Sequence, residues 1–307
     1  VNYQVSDLLS VQAGVRETYW QLSDKFLIDP RASIRYQLQE KVAIKAAAGV
    51  YHQSLRLISQ PDFQFFDTWL PSDSTSPASR SDHYILTIET QPTENLDLNF
   101  DFYYKRMYGI GEMNRTAYEG RTVSELFYFG DSYSYGAEIF AQYRTDKFYG
   151  WFGYALGYIS NKFANINYGD EYRPKYDRRH DMKIVAQYKI DDNWEIGGTF
   201  SFQSGQSYTA ATSRYQSGLP DMEIGKGKWV YSQRNGLRLP PSHQLNLMVS
   251  KKFDLFGLDA KVILDIYNVY NHKDIWFRYY DLSKSKAEVT DVTLLPILPT
   301  ISFEIKF

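Results

Sequence analysis

Few residues in this chain have the type and spacing that catalysis or metal binding demands. Its five histidines, His52, His83, His180, His243 and His272, stand singly. None has a second ligand at the short spacing that turns two side chains toward one metal ion. There is no cysteine, so thiolate ligands, disulfides and a thiol nucleophile are all excluded. Gly109-Ile110-Gly111 and Gly225-Lys226-Gly227-Lys228 lack the strand-to-helix setting of a phosphate cradle and read as turns. Asn114-Arg115-Thr116 matches a glycosylation sequon and carries no chemistry of its own. The expectation is therefore no enzyme: no catalytic residue, no metal site and no cofactor. The best ligand-contact candidates are the aromatics Phe63, Phe65, Phe66 and Trp69 within a long polar stretch. They suit stacking on a ligand, and equally packing against neighbouring loops or sitting in an aromatic girdle.

The elements that would carry these residues are strands. In Thr300–Lys306 the residues Ile301, Phe303 and Ile305 alternate with Thr300, Ser302, Glu304 and Lys306, and Phe307 continues the apolar set. Side chains of a strand point alternately to opposite faces, so one face is apolar and the other polar. The same period recurs in Ala32-Ile34-Tyr36-Leu38, Leu96-Leu98-Phe100-Phe102-Tyr104, Trp194-Ile196-Gly198-Phe200-Phe202 and Leu258-Ala260-Val262-Leu264-Ile266. The run from Phe148 to Ser160 is aromatic on both phases, and its apolar face is not legible. No helical period persists. In all, the pattern predicts about twelve strands, with connections alternating between tight turns and long loops and both chain ends on the tight-turn side. Soluble sandwiches show no such beat, whereas an antiparallel transmembrane β-barrel has short periplasmic turns and long extracellular loops. On the polar phase fall Arg31, Arg35, Asp97, Asp101, Glu138, Lys183, Glu195, Lys261, Asp265 and Glu304. Charges this dense suit the lining of a water-filled or plugged lumen rather than a dry core.

Composition agrees with that reading. Basic and acidic residues nearly balance, 34 against 36, so no nucleic-acid partner is expected. Aromatics make up 17% of the chain, as membrane-interface girdles require, yet mean hydropathy is only −0.46. No apolar run is long enough for a spanning helix. The first residues show neither an initiator Met nor a signal-like apolar segment, which suggests processing or a longer parent chain.

Four stretches resemble the last strands of TonB-dependent outer-membrane receptors. They are Pro174-Lys175-Tyr176-Asp177-Arg178-Arg179-His180-Asp181; Gln203-Ser204-Gly205-Gln206-Ser207-Tyr208-Thr209; Asn235-Gly236-Leu237-Arg238-Leu239-Pro240-Pro241-Ser242-His243-Gln244-Leu245-Asn246-Leu247; and Leu264-Asp265-Ile266-Tyr267-Asn268-Val269-Tyr270-Asn271 with the terminal strand ending at Phe307. The resemblance implies a 22-stranded bacterial outer-membrane barrel around an N-terminal plug, driven by the TonB complex through that plug. This chain has room for about twelve strands and nothing resembling a plug, so residues 1–307 read as the C-terminal portion of such a barrel. The implied partners are outer-membrane lipid, the missing plug and barrel strands, and a small nutrient of the siderophore-iron, cobalamin or saccharide class. Arg178, Arg179 and His180 read as anchors of the barrel rim. Weighed against this are a self-contained small barrel of autotransporter or porin type, and an outer-membrane phospholipase, for which no Ser and His fall in register on the apolar phase.

Overall fold

A computed structural model describes residues 1–60, 63–114, 123–215, 228–281 and 288–306. The first strands are β1 (Asn2–Ser6), β2 (Leu9–Trp20), β3 (Lys25–Gln39) and β4 (Val42–Gln53). A hairpin of β5 (Leu55–Gln60) and β6 (Phe63–Pro71) precedes β7 (Ser79–Thr93), β8 (Leu96–Met113), β9 (Phe127–Arg144) and β10 (Phe148–Lys162). Next come β11 (His180–Lys189) and β12 (Trp194–Gln203), followed by short β13 (Ser207–Tyr208), β14 (Ala211–Tyr215), β15 (Lys228–Tyr231) and β16 (Leu237–Arg238). The chain closes with β17 (Ser242–Leu255), β18 (Leu258–Tyr267), a hairpin of β19 (Ile275–Asp281) and β20 (Glu288–Thr293), and β21 (Leu298–Lys306). Phe307 lies outside the described residues. Among these residues the only helical turns are three of 3-10 type, and no helix is long and apolar enough to cross a membrane.

Thirteen strands form one sheet in the order β1-β2-β3-β4-β7-β8-β9-β10-β11-β12-β17-β18-β21, each beside the next sheet strand along the chain. The expected all-β, antiparallel architecture is thus present, with one strand more than the sequence pattern predicts. The addition is β1, which pairs Tyr3 with Val11 and Asn2 with Gln12 and bulges between Gln4 and Ser6. Its five residues carry only two apolar positions, too few to register as a period. An odd strand count also places the start of β1 at the long-loop end, not the tight-turn end. The strict alternation of connections fails once, at Gln21–Asp24, where a 3-10 turn with Asp24 in the left-handed region (φ 52°) replaces a loop. Three connections expected to be irregular hold two-stranded sheets of their own: β5–β6, β14–β15 and β19–β20.

The described chain divides into two compact units. In the first (Val1–Thr90, Phe100–Ala137, Gly157–Pro174), register aligns Val11, Ile34, Ala46 and Leu86 in one row and Ser10, Arg35, Lys45 and Thr87 in the next. In the second (Gln91–Asn99, Glu138–Leu156, Lys175–Phe307), Tyr188, Ile196, Val249, Leu264 and Ile301 share a row, flanked by Gln187, Gly197, Met248, Asp265 and Thr300. Within each unit, then, one face is apolar and the other polar. Nothing among the described residues covers the apolar face: Ile301 is 74% exposed and Phe303 54%. Tight turns pin the register. At the β17–β18 turn Phe256 and Gly257 both adopt positive φ (56° and 84°), and the Asp254 carboxylate accepts the Gly257 N–H at 3.1 Å. Two such residues give the primed turn whose twist matches the strands it joins.

Candidate functional site

Two regions collect the polar and aromatic groups: the polar face, and the loop end of the strands. In the first unit, register puts Arg31 and Arg35 on the polar face of β3. Arg35 donates to Glu89 at 3.1 Å and to Gln37 at 2.9 Å, and the Arg31 guanidinium lies 5.0 Å from the centre of the Tyr51 ring. Asp101 joins them by accepting the Thr87 hydroxyl. In the second unit Lys183, Glu195, Lys261, Asp265 and Glu304 occupy the polar phase, with Lys261 directly opposite Glu304 and Asp265 opposite Thr300. Glu138 shares its phase with Phe140, whose ring meets Trp151 of that face at 5.9 Å. Asp97 falls on the polar phase of β8 by alternation. A cavity of about 330 Å³ opens on this face of the second unit, its polar wall made by Gln187, Thr199, Asn246, Asp265 and Tyr267. Gly197 deepens it, because a Cβ there would approach Met248 Cε to 3.1 Å.

The aromatic ligand candidates fall in strand β6, not in an irregular loop. Trp69 stands opposite Leu57 and is 56% exposed, and Leu55 and Leu57 are exposed on the same face of the hairpin. The side chains of Phe63, Phe65 and Phe66 lie outside the described residues. What holds this hairpin is a residue that sequence reasoning missed. Arg56, on the opposite hairpin face, is buried; its guanidinium donates to the Ser76 hydroxyl and the Pro77 carbonyl and sits 5.0 Å from the Phe129 ring centre. Burial lowers the Arg56 pKa, and the Asp73 charge opposes that shift. Asp73 caps the adjoining turn, accepting from Thr75 Oγ1 and from the Thr75 and Ser76 N–H groups at 2.7–2.9 Å, which pull its carboxyl below the usual range.

The first three of the motif stretches converge at the loop end of β11, β12 and β17. The buried Asp177 carboxylate (2% exposed) takes the Arg238 guanidinium, which also donates to the Asp177 carbonyl at 2.8 Å and the Gly205 carbonyl at 3.0 Å. Gly205 is obligatory for this closeness, since a Cβ there would lie 1.6 Å from the Leu239 carbonyl oxygen. Arg178 donates to the Ser204 carbonyl at 3.3 Å, and Ser204 Oγ accepts the His180 N–H at 3.1 Å. In the fourth stretch Asn268, buried and at φ 53°, ties His272 N–H to its own Oδ1 and donates to the carbonyls of His272 and Leu295. These motif residues act as latches between strand ends and loops.

The histidines are partnered rather than isolated. His52 meets Asp29 at 2.7 Å, His180 meets Tyr154 at 2.8 Å and the His83 ring meets that of Tyr51 at 4.5 Å. His243 and His272, 29 residues apart, stack at 3.8 Å between ring centres, a pairing no spacing rule reveals. No group of three or more metal-ligating side chains occurs among the described residues.

No family model and no curated relative matches the sequence. Solved structures do. The ferripyoverdine receptor of the outer membrane of Pseudomonas aeruginosa matches 98% of this chain at TM-score 0.62 and 12% identity, over 37% of its own length. The ferric yersiniabactin uptake receptor FyuA of Yersinia pestis matches 100% at TM-score 0.66 and 12% identity, over 44% of its length. This is the fold of an outer-membrane receptor barrel segment. The FrpB iron transporter of Neisseria meningitidis agrees, at TM-score 0.57, 13% identity, 99% coverage of this chain and 43% of its own. The chain thus spans roughly two-fifths of each of these three structures. All three are receptors or transporters.

Proposed function

We propose that this chain is a portion of the β-barrel of a TonB-dependent receptor in the bacterial outer membrane, importing a scarce nutrient with energy delivered from the inner membrane. One observation carries the reading. A thirteen-stranded antiparallel sheet, apolar on one face and charged on the other in each unit, matches outer-membrane iron receptors over nearly its whole length. On this reading, lipid covers the apolar face, and the row through Arg35 and the row through Asp265 line the lumen. A plug and further strands supplied from outside residues 1–307 complete the barrel and carry the TonB contact. The β5–β6 hairpin, with Trp69 and the stretch Phe63–Phe66, is the ligand-contact candidate. Siderophore-bound iron comes first among the nutrient classes, because ferripyoverdine and ferric yersiniabactin are what two of the matched receptors take; cobalamin and saccharides follow.

The test is uptake by the host cell. Deleting the gene is expected to abolish import of one labelled ferric siderophore. The full-length gene restores it, and inactivation of TonB removes it again. Unchanged uptake of ferric siderophores, cobalamin and saccharides alike would overturn the proposal.

A further inference from the structure

The apolar face of the first unit ends in charge at its loop side. Along β7 the apolar phase runs Thr90, Ile88, Leu86, Tyr84 and then Asp82 and Arg80. Along β8 the rings of Tyr84 and Tyr104 approach to 6.4 Å, which sets Tyr104 and Phe102 on that same face, and Arg106 and Tyr108 follow at period two. The two arginines meet on one ring. The Arg80 guanidinium lies 5.8 Å from the Tyr108 centroid and that of Arg106 lies 5.2 Å from it. Arg80 also forks onto Asp82, with Nε at 2.9 Å and Nη2 at 3.1 Å from the two carboxylate oxygens. Arg106 is exposed and makes no hydrogen bond or ion pair among the described residues.

We infer that this cluster binds the phosphate headgroup of an outer-leaflet lipid; the inference rests on the outer-membrane reading above. Position argues for it. Ten residues separate Thr90 from Arg80, ~33 Å of strand, and at a tilt of roughly 40° that is close to the ~25 Å height of a barrel's apolar band. Arg80 and Arg106 therefore stand at the margin of the band on the long-connection side, at headgroup depth and on the lipid face. Chemistry argues the same way. Both guanidinium groups lie over the Tyr108 ring; Arg106 keeps its N–H donors for phosphate oxygens, and Arg80 keeps Nη1 beside its fork onto Asp82. Two arginines against Asp82 leave one net positive charge, suited to a phosphomonoester and unsuited to a zwitterionic headgroup. Tyr84, Tyr104, Phe102 and Leu86 lie just below, where the acyl chains of such a lipid would run.

The experiment reconstitutes the full-length protein in phosphatidylcholine nanodiscs containing bisphosphorylated lipid A or its dephosphorylated form. Insertion is scored first by protease protection, and lipid A retained after re-extraction is counted by mass spectrometry. We expect preferential retention of the phosphorylated lipid, reduced about fivefold by either Arg80→Gln or Arg106→Gln and unchanged by Lys41→Gln at the opposite end of the neighbouring strands. Equal retention of both lipids, or an equal loss in Lys41→Gln, would overturn the inference while leaving the receptor reading intact. Displacement by inorganic phosphate alone would also overturn it, as a free-phosphate site. Failure to insert at all would remove both readings.

Discussion

The Gly205 position is where one atom decides a fold. Its Cα faces the Leu239 carbonyl at a distance no side chain tolerates, and the Asp177–Arg238 pair closes over the same backbone. Gly205→Ala should destabilise the folded protein by about 3 kcal/mol or more, because backbone rather than a flexible side chain blocks the new methyl. Gly14→Ala, with nothing within 4 Å, should be neutral. Urea unfolding in detergent, followed by the heat-dependent gel shift of a folded sheet, separates the two; equal stability would refute the packing argument. A second residue sets a pH dependence. In the β19–β20 hairpin Asp291 accepts from Arg278 Nε and Nη2 at 2.7 and 3.0 Å, and these bonds hold its carboxyl below the usual range while raising the Arg278 pKa. An unfolded aspartate titrates near ~3.9. The stabilisation from this pair is therefore complete above that pH and is lost as pH falls through the lower folded value. Both side chains are partly exposed, so the pair contributes no more than about 1 kcal/mol. Trp276 fluorescence should report the hairpin loosening under acid in the native protein, and Asp291→Asn should already be loosened at neutral pH and lack that acid step. Neither residue was legible as a latch in the sequence. Asp177 and Arg238 stood in motif stretches, but 61 residues separate the partners, and only the fold brings them together.

At the level of single strands, periodicity carried most of the information. Eleven of thirteen sheet strands follow the two-residue alternation, since a sheet wet on one face and oily on the other must show it; β1 is too short and β10 is aromatic on both phases. Register then extends the two faces across neighbouring strands, as in the row from Tyr188 to Ile301. The strand ends were not legible. β8 and β9 each run 18 residues, well past their apolar cores, because hydrogen bonding continues into water where side-chain pattern is unconstrained. The loop hairpins escaped for the same reason. The faces yield a sharp contrast. Leu264→Arg, on the apolar row, should cost roughly 2–4 kcal/mol if that row faces hydrocarbon. Asp265→Asn, one residue on and on the polar row, should change stability by less than about 0.5 kcal/mol. Refolding into lipid vesicles at graded urea measures both; a tolerated Leu264→Arg would place that face in water.

For the molecule as a whole, the decisive feature is the pair of sheet edges. β1 and β21 end the strand order, and neither has an outer partner among the described residues. In hydrocarbon an unpaired backbone N–H or C=O costs several kcal/mol, which is why spanning sheets close on themselves. The matched receptors are more than twice as long as this chain, so the remaining strands have a natural source in the proposed parent protein. Hydrogen exchange tests this directly. In the full-length protein in nanodiscs, the outward amides of β1 and β21 should exchange as slowly as those of β3 or β18, which have a neighbour on each side. In residues 1–307 alone they should exchange orders of magnitude faster, while the interior strands stay protected. Fast exchange at both edges in the full-length protein would mean that no further strands complete this sheet, and the proposed barrel portion would fall with it.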